Sequence, residues 1–459
     1  MLGFHFIREW RSLWTTPLRL AAILFLLAVS IWSVVDGLRW YDTVQATQAK
    51  ISTDAQIEQG AWFADLAAAT AGETIAPSEA QPINLERLAL RSPAPLSPLA
   101  HSREALFPHT ALASGWRSEA SLFRRYEVQG PTVLTTGRMD LLFVITVFLP
   151  LILLLLTFDV LSQERQAGRA RMSLIQGWNP ARHLLARLAA TAIPVTLIPI
   201  GCIFAVAFIT AAPWIDVGVW AAIVLVHVFF WSAIAALIAV LFRRPISGAL
   251  SILACWSVLV VLIPSGVQFL AQALYPVPSR VTYLAEAREA EGQTRRNVEQ
   301  RAELFMAEHV DEIDVPIEGV PGFYRRAYLA NIDVNAGTAP ILIAFETQQA
   351  RQRRLVDVAQ FLSPTLATKT HLEQVSATGA EQAALYRAQA RDYLGLILET
   401  VGPATVARSR MYMDEARAVP SFTFVPRSPG VINWLGILAS LMIGMTLVPV
   451  ALRRARFLS

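Results

Sequence analysis

The sequence predicts an all-α membrane protein with six transmembrane helices and two large, mostly helical extracytoplasmic insertions. Six separated apolar runs carry this prediction. Each is about 20 residues long, and at about 1.5 Å rise per residue such a helix crosses a hydrocarbon core of about 30 Å. The composition agrees, because 54% of the 459 residues are hydrophobic and only 16% are charged, whereas soluble domains carry about 25%.

The six predicted spans follow an N-terminal segment, residues 1–17, and precede a C-terminal tail, residues 453–459. They cover residues 18–37, 141–161, 185–212, 217–242, 247–270 and 430–452. Two long polar insertions, 38–140 and 271–429, lie on one side of the membrane, and a charged loop, 162–184, lies on the other. The first apolar run is longer than a signal-peptide core and lacks a small-x-small cleavage site, so we expect a retained anchor.

Arginine placement predicts the orientation of the chain. Basic residues favour the cytoplasmic ends of spans, and one set of ends carries only two acids, Glu9 and Glu164, beside many arginines. These are Arg8, Arg11, Arg165, Arg169, Arg171, Arg182, Arg187, Arg243, Arg244, Arg453, Arg454 and Arg456. The short loop 212–216 has no basic residue. We therefore expect a multi-pass protein of the bacterial inner membrane with both termini cytoplasmic, and no nucleic-acid partner despite a pI of about 9.3.

The first insertion begins as a helix and then changes character. Residues 39–70 are good helix formers without proline, which predicts a continuation of the first span. Six prolines follow between residues 77 and 108, a pattern that disfavours regular elements. We expect this stretch to cover either the other insertion or a partner subunit.

The second insertion is predicted to be mainly helical. Charged residues with spaced apolar ones at 282–309 are typical of a surface helix. A second helical stretch starts at residue 322 with a break near Gly337–Pro340, and a third covers 371–398. Strand-like alternation occurs briefly, at Ser421–Val425.

The loop after the second span contains the most informative local sequence. Glu164 and five arginines precede a small apolar patch at Leu174 and Ile175, and then Gly177 and Pro180. A charged helical segment followed by an apolar patch and a turn suits docking to a cytoplasmic partner. The alternative is an ordinary loop of the positive-inside kind.

These residues carry a resemblance to a known family. Glu164-Arg165, Gly168 and Pro180-Ala181-Arg182 resemble the loop of the permease subunits of type-2 ABC transporters, although Arg169-Ala170 stands where that family has Thr-Leu. The entry to the second span is similar to the subgroup with large periplasmic insertions after the first and fifth spans. Its positions are Gly137, Asp140, Phe143, Val144, Pro150, Asp159 and Glu164, and Tyr275–Arg280 also matches.

The resemblance implies a type-2 ABC exporter-like permease fold and partners to match. A dimer of cytoplasmic ABC ATPases would supply energy, a second copy or a paralogous permease would complete the pore, and export is favoured over import. The loop would be the coupling helix, with Glu164, Arg165, Gly168, Arg169 and Arg171 contacting the ATPase. The N-terminal segment would be an amphipathic elbow helix on membrane lipid, with Phe4, Ile7 and Trp14 on one face; the alternative is that it forms the first turns of the first span.

The chain itself has no sequence for ATP hydrolysis. No G-x-x-x-x-G-K-[ST] motif occurs, and neither lysine, Lys50 or Lys369, follows a glycine. We therefore expect a non-catalytic subunit without a cofactor or metal of its own, with ATP and Mg²⁺ on the partner ATPase. The two cysteines, Cys202 and Cys255, fall within predicted spans and are read as small apolar side chains.

Two ionisable residues of the spans are candidate functional residues. His227 lies near the middle of the fourth span, and such residues are functional candidates by default; the alternative is a neutral histidine bonded to a neighbouring helix. Asp159 lies at the inner end of the second span, where it would pair with Arg165 or cap the loop helix.

Two other function classes fit parts of the pattern. The large insertions suit a protein that transmits ATP-driven motion to a periplasmic partner without moving a solute. A membrane-embedded protease is disfavoured, because the sequence has no H-E-x-x-H, no G-x-S-x-G and no pair of intramembrane carboxylates.

Overall fold

The computed structural model describes residues 2–71, 80–102, 104, 107–123, 139–162, 179–310, 316–427 and 431–456, which are mainly helical. The helices are α1 (Leu2–Thr15), α2 (Pro17–Thr70), α3 (Leu141–Thr157), α4 (Pro180–Thr210), α5 (Trp214–Leu241), α6 (Pro245–Leu274), α7 (Arg280–Arg296), α8 (Val298–Glu308), α9 (Gly322–Ala359), α10 (Pro364–Val375), α11 (Ala380–Ala407), α12 (Met413–Ala418) and α13 (Val431–Arg456). Two short strands, β1 (Glu86–Leu90) and β2 (Thr110–Ser114), pair antiparallel, with Leu88 opposite Leu112.

Five helices of the described residues are long and apolar enough to cross a membrane: α2, α4, α5, α6 and α13. The chain is therefore a helical, multi-pass membrane protein. The predicted span 141–161 corresponds to α3, a shorter apolar helix that ends at Thr157 and continues as a turn to Ser162.

The N-terminal segment is a helix distinct from the first span. Thr16 has an extended backbone and Pro17 starts α2, as expected because the residue before proline avoids helical geometry. Helix α1 packs mainly against α4 rather than continuing along α2. Phe4 and Ile7 are exposed, whereas Glu9 is buried. Leu13 is also fully buried, and Phe6 and Trp10 pack against the bundle core. Helix α1 therefore contacts the bundle through Glu9 and through apolar side chains, and Phe4 and Ile7 face outward.

Helix α5 lies at the centre of the bundle. Trp220 and Trp231 are fully buried on it, and α3, α4 and α13 pack around it. On α13, Gly444 is in close contact with α5, because a Cβ there would come within 2.7 Å of the Phe229 ring. Small residues at helix contacts are typical of bundles in lipid.

Two apolar helices contain a π-helical turn, Val144–Phe148 in α3 and Ser257–Leu262 in α6. A π turn changes the helical hydrogen-bond pattern, so that main-chain carbonyls become available to neighbours. In α3 the carbonyl oxygen of Val147 accepts from the Trp256 indole at 3.0 Å, and in α6 that of Leu259 accepts from the Ser363 hydroxyl at 2.6 Å.

The two insertions share one hydrophobic core beyond the spans. Trp62 and Leu66 from the far part of α2 pack there with both strands, α9 and α11. The Tyr386 hydroxyl of α11 donates to the carbonyl oxygen of Ala89 in β1 at 2.9 Å. The proline-containing stretch therefore covers the other insertion. The expectation that it has no regular element is wrong, since β1 lies in it and pairs with β2, which starts just after Pro108.

The strand-like alternation at Ser421–Val425 does not correspond to a strand; this described segment has no regular secondary structure. Two glutamines of α11 bond to its main chain as a neighbouring strand would. The Gln389 amide both donates to the carbonyl of Val425 and accepts from its N–H, at 2.9 and 3.0 Å. Gln382 makes the same pair of bonds to Arg427, at 2.6 and 3.2 Å. The alternation is explained because Phe422 and Phe424 pack on Tyr386 and Tyr393 of α11.

Three predicted helix boundaries in the second insertion also differ. Helix α9 passes through Pro340 without the break predicted at Gly337–Pro340. The stretch 282–309 is two helices that meet at Asn297. The stretch 371–398 is interrupted after α10, where Ala377 has a left-handed backbone with φ of 54°, so that α10 and α11 are separate helices.

Candidate functional site

A buried cluster of charged side chains joins four helices at the end of the bundle that carries α1. Glu9 comes from α1, Arg19 from the start of α2, Asp159 from the turn after α3, and Arg187 from the first turns of α4. Glu9 is 7% exposed and Arg187 is 1% exposed. Burial at this level requires that each charge be paired.

Arg187 is the centre of this cluster. Its Nε and one terminal nitrogen both donate to the carbonyl oxygen of Leu156, at 2.9 and 2.6 Å. The other terminal nitrogen donates to the Glu9 carboxylate at 2.9 Å, and a carboxylate oxygen of Asp159 lies 3.7 Å from the guanidinium. Carbonyls in the last turn of a helix have no intrahelical partner and favour cations. Arg187 therefore satisfies the end of α3 while it neutralises two acids.

Two further arginines complete the cluster. The Arg19 guanidinium lies 3.5 Å from the Asp159 carboxylate. Arg8 lies 3.0 Å from Nδ1 of His183, whose ring is also 3.8 Å from Glu9. Three guanidinium groups thus surround two carboxylates. The contact between Arg8 and Glu9 lies within α1, whereas each of the other contacts joins two different helices or helix ends.

The cluster lies at the base of the predicted coupling loop. The turn that follows α3 and bears Asp159 is described up to Ser162. The described chain resumes at Asn179, directly before α4. The Asn179 side chain caps α4 by accepting from the N–H groups of Ala181 and Arg182, at 3.0 and 3.2 Å. The predicted coupling residues Glu164, Arg165, Gly168, Arg169 and Arg171 lie outside the described residues. The structure thus places Asp159 in the cluster, whereas its predicted pairing with Arg165 stays a prediction.

Sequence reasoning did not select Glu9 and Arg187 as site residues. Arg187 is one of the twelve arginines that predict the orientation of the chain, and Glu9 is one of the two acids beside them. A usable signal was present, because Glu9 is one of two acids at an otherwise basic set of span ends. An acid at such a span end needs a cationic partner nearby.

The structure places His227 in a hydrogen-bonded chain inside the bundle, away from the charged cluster. Trp231 Nε1 donates to Nε2 of His227 at 3.2 Å, so Nε2 carries no proton. Nδ1 then bears the hydrogen of a neutral ring and donates to the Thr368 hydroxyl at 2.8 Å. His227 is 1% exposed. The histidine is therefore bonded to α10, a helix of the second insertion. This agrees with the alternative interpretation, a neutral histidine bonded to a neighbouring helix.

A second buried pair of ionisable side chains lies in the first insertion. Arg91 and Glu104 are in contact, and Arg91 also donates to the carbonyl oxygen of Ala377, between α10 and α11, at 2.9 Å. Burial raises the pKa of Glu104 to about 8, although the nearby guanidinium opposes the rise. Burial lowers the pKa of His109, 3.8 Å from that carboxylate, to about 4. This pair joins the first insertion to the connection that leads from α10 into α11.

Within the described residues, no group of three or more histidines, cysteines or acids is placed to hold a metal ion. The charged cluster consists of contacts between helix ends. Its members hold the ends of four helices at fixed separations.

Comparison with known proteins adds one family. Residues 280–425 match the model of a family described as a domain of unknown function (DUF3526). The matched region starts at α7, contains α10 and ends in the segment 421–425, which packs on α11. No curated protein matches the chain.

Proposed function

We propose that this chain is the permease subunit of a type-2 ABC transporter in the bacterial inner membrane. It works with a separate cytoplasmic ATPase pair and with a second copy of itself or a related permease. In this proposal α3 also crosses the membrane, which brings the number of spans to six. Its 17 residues rise about 26 Å, and the turn to Ser162 adds the remaining length.

The cluster around Arg187 is the observation that carries the proposal. A loop that receives force from a partner moves helices only if its two ends are fixed to them. Here the ends of residues 163–178 adjoin Asp159 and the capped start of α4, and Arg187 joins both to Glu9 of α1. A push on the loop would therefore displace α1, α3 and α4 together with the start of α2.

The test is co-purification. The chain would be expressed with a C-terminal tag beside its native genomic neighbours and extracted in mild detergent. The proposal requires a stoichiometric partner with a Walker motif and ATPase activity that changes when the two are separated. A stable complex that contains no ATPase contradicts it.

A second function is favoured by the contact between the second insertion and the spans. Thr368, Ser376 and Ser363 each bond to a different part of the span bundle. Motion of the spans would thereby reach the insertions directly, as a force-transmitting subunit that regulates a periplasmic partner requires. Such a subunit would show ATP-dependent distance changes between spin labels on the insertions in the purified complex, with ATPase activity that no candidate solute stimulates.

A further inference from the structure

Helix α10 packs against α5 and gives a scale along it. The Ser376 hydroxyl accepts from Trp220 Nε1 at 3.0 Å, and the Thr368 hydroxyl lies 2.8 Å from Nδ1 of His227. A residue of α10 between positions 368 and 376 therefore lies beside the stretch of α5 between Trp220 and His227.

This scale shows that α5 and α13 run in the same direction. The ring of Trp434, near the start of α13, contacts the ring of His371 in α10, with centroids 3.9 Å apart. Trp434 therefore lies beside the stretch 220–227 of α5. Ten residues further along α13, Gly444 faces Phe229 of α5. Both helices advance together, so they end on the same side of the bundle.

Each of these two helices ends in a pair of arginines. One pair directly follows the last residues of α5, and the other lies in the last turn of α13. From Phe229 to Leu241 α5 rises about 18 Å, and from Gly444 to Arg454 α13 rises about 15 Å. The two pairs therefore lie at nearly the same level. Together they form what is called here the arginine surface: Arg243, Arg244, Arg453 and Arg454.

The arginine surface has no acid to neutralise it. All four side chains are exposed, and none forms an ion pair with a residue that the structure describes. No Asp or Glu occurs in residues 217–285 or 416–459. The charged cluster lies at the same end, because Gly248 in α6 faces Phe158, the neighbour of Asp159. There, by contrast, Arg187 is paired with both Glu9 and Asp159. The four charges of the arginine surface remain available to an external anion.

Exposed apolar side chains border the arginine surface on the side of the spans. Leu241 of α5 and Val450 of α13 are exposed, and they lie within one turn of the arginines of their own helix. In the first turns of α6, Ile246 is 76% exposed and Leu250 is also exposed. In helices long enough to span a bilayer, such side chains face acyl chains. An occupant of this surface thus meets positive charge at one end and hydrocarbon at the other.

An anionic phospholipid has the matching chemistry. Guanidinium groups bind phosphate oxygens through paired, charge-assisted hydrogen bonds. Basic pockets between transmembrane helices bind anionic lipid headgroups in other membrane proteins. A soluble anion or an acidic protein segment would use only the arginines and would leave the apolar border uncovered. The continuity of charge with apolar surface therefore favours a lipid.

We propose that the arginine surface binds an anionic phospholipid, with its phosphate on the guanidinium groups and its acyl chains along Ile246, Leu250 and Val450. The bound lipid would hold the ends of α5 and α13 together, because its negative charge offsets the repulsion between the two pairs of arginines. An arginine near an anionic membrane surface contributes about a factor of five in affinity. The proposal does not depend on the transporter assignment, since it needs neither an ATPase nor a second copy of the chain.

Lipid binding by the purified full chain tests the proposal. The tagged chain would be delipidated in mild detergent and titrated with phosphatidylglycerol or with phosphatidylcholine of identical acyl chains, and bound lipid would be counted by native mass spectrometry. Two variants, R243Q/R244Q and R453Q/R454Q, each remove one pair of charges. The control, R295Q/R296Q, removes the same charge from the exposed side of α7 in the second insertion.

The variants should fold like the wild type, because every substituted side chain is exposed. Elution profiles and unfolding temperatures in lipid-free micelles check this. Because the two double variants alter different helices, failure of one to fold leaves the other as a test.

We expect the wild type to bind phosphatidylglycerol more tightly than phosphatidylcholine. Each double variant should lose affinity for phosphatidylglycerol by roughly 25-fold, whereas the control should keep it. Equal affinity of the wild type for the two lipids would overturn the proposal. A loss in the control as large as in the double variants would also overturn it, because binding would then follow net charge alone.

A competition with inorganic phosphate separates a lipid site from a site for soluble anions. Inorganic phosphate carries negative charge without acyl chains, so at the same concentration it should leave phosphatidylglycerol bound. Displacement of the lipid would identify a soluble-anion site and refute the assignment to lipid. These outcomes are the same whether or not an ATPase co-purifies with the chain.

Discussion

Arg187 donates two hydrogen bonds to the main-chain carbonyl oxygen of Leu156, so one side chain of α4 closes the end of α3. The same guanidinium holds Glu9. A single buried cation therefore determines how α1, α3 and α4 are arranged where the predicted coupling loop begins and ends.

Replacing Arg187 by methionine should destabilise the protein strongly. The substitution leaves the Glu9 carboxylate and the Leu156 carbonyl buried without their donor, and breaking a buried pair costs about 3–5 kcal/mol. The control is R244M, because Arg244 is exposed on the loop before α6. Unfolding in mixed detergent micelles measures the difference. Equal stability of the two variants would show that the cluster is not a fastening point.

Replacing Glu164 by alanine should lower ATP hydrolysis by the complex or uncouple it from transport, while insertion and folding persist. The proposed function assigns this side chain to the ATPase contact. The matched control is E303A, on α8 in the second insertion. ATPase rate and solute flux would be measured on the same vesicles, and unchanged coupled activity removes Glu164 from the mechanism.

Two glycines of α2 should respond oppositely to alanine. A Cβ at Gly37 would lie 2.0 Å from the carbonyl oxygen of Pro98, so G37A should cost about 1–3 kcal/mol through overpacking. Gly60 has no atom within 4 Å of that position, and G60A should stabilise by about 0.5–1 kcal/mol through helix propensity. Thermal unfolding compares the two variants. An unchanged unfolding temperature in G37A would mean that the loop at Pro98 can move away from α2 without a loss of stability.

Removing the Thr368 hydroxyl should loosen the packing of α10 on α5. In T368V the Nδ1–H group of His227 loses its acceptor in a buried site, which costs about 1–3 kcal/mol. T370V, on the partly exposed side of α10, is the control. Hydrogen exchange of residues 360–376 reports the effect, and protection as high as in T370V would contradict it.

Stability should fall as pH rises from about 6.5 to 8, through Glu104. Its folded pKa of about 8 exceeds the ordinary value of 4.5, so across this window the folded state holds a proton that the unfolded state has lost. The loss is at most about 1.4 kcal/mol per pH unit. Below 6.5 the lowered pKa of His109 acts in the opposite direction. The slope between pH 6.5 and 8 should disappear in E104Q, and an identical slope in that variant would refute the assignment.

Hydropathy predicted five of the six spans correctly as helices long and apolar enough to cross a membrane, whereas the predicted span 141–161 is the shorter helix α3. The packing of α10 against α5 and α6 escaped prediction, because α10 is short and Lys369 and Glu373 interrupt its apolar pattern. Only the long-range contacts of Ser363, Thr368 and Ser376 reveal where it lies.

For the charged cluster, the sequence indicates that Glu9 needs a cationic partner but cannot identify Arg187 as that partner, since the two residues are 178 positions apart. The difference at Ser421–Val425 has another origin. Alternation reflects the packing of Phe422 and Phe424 on α11, but whether the main chain pairs with a strand or with glutamines of a helix depends on tertiary packing.

Helix α2 continues without interruption for 54 residues, from the charged cluster to the core shared by the insertions. Such a helix is about 81 Å long. If it tilts as a rigid lever by about 5° at its fixed end, its far end sweeps about 7 Å. A displacement near Arg19 too small to disturb the cluster would thus be amplified several-fold at Trp62, where it would shear one insertion against the other.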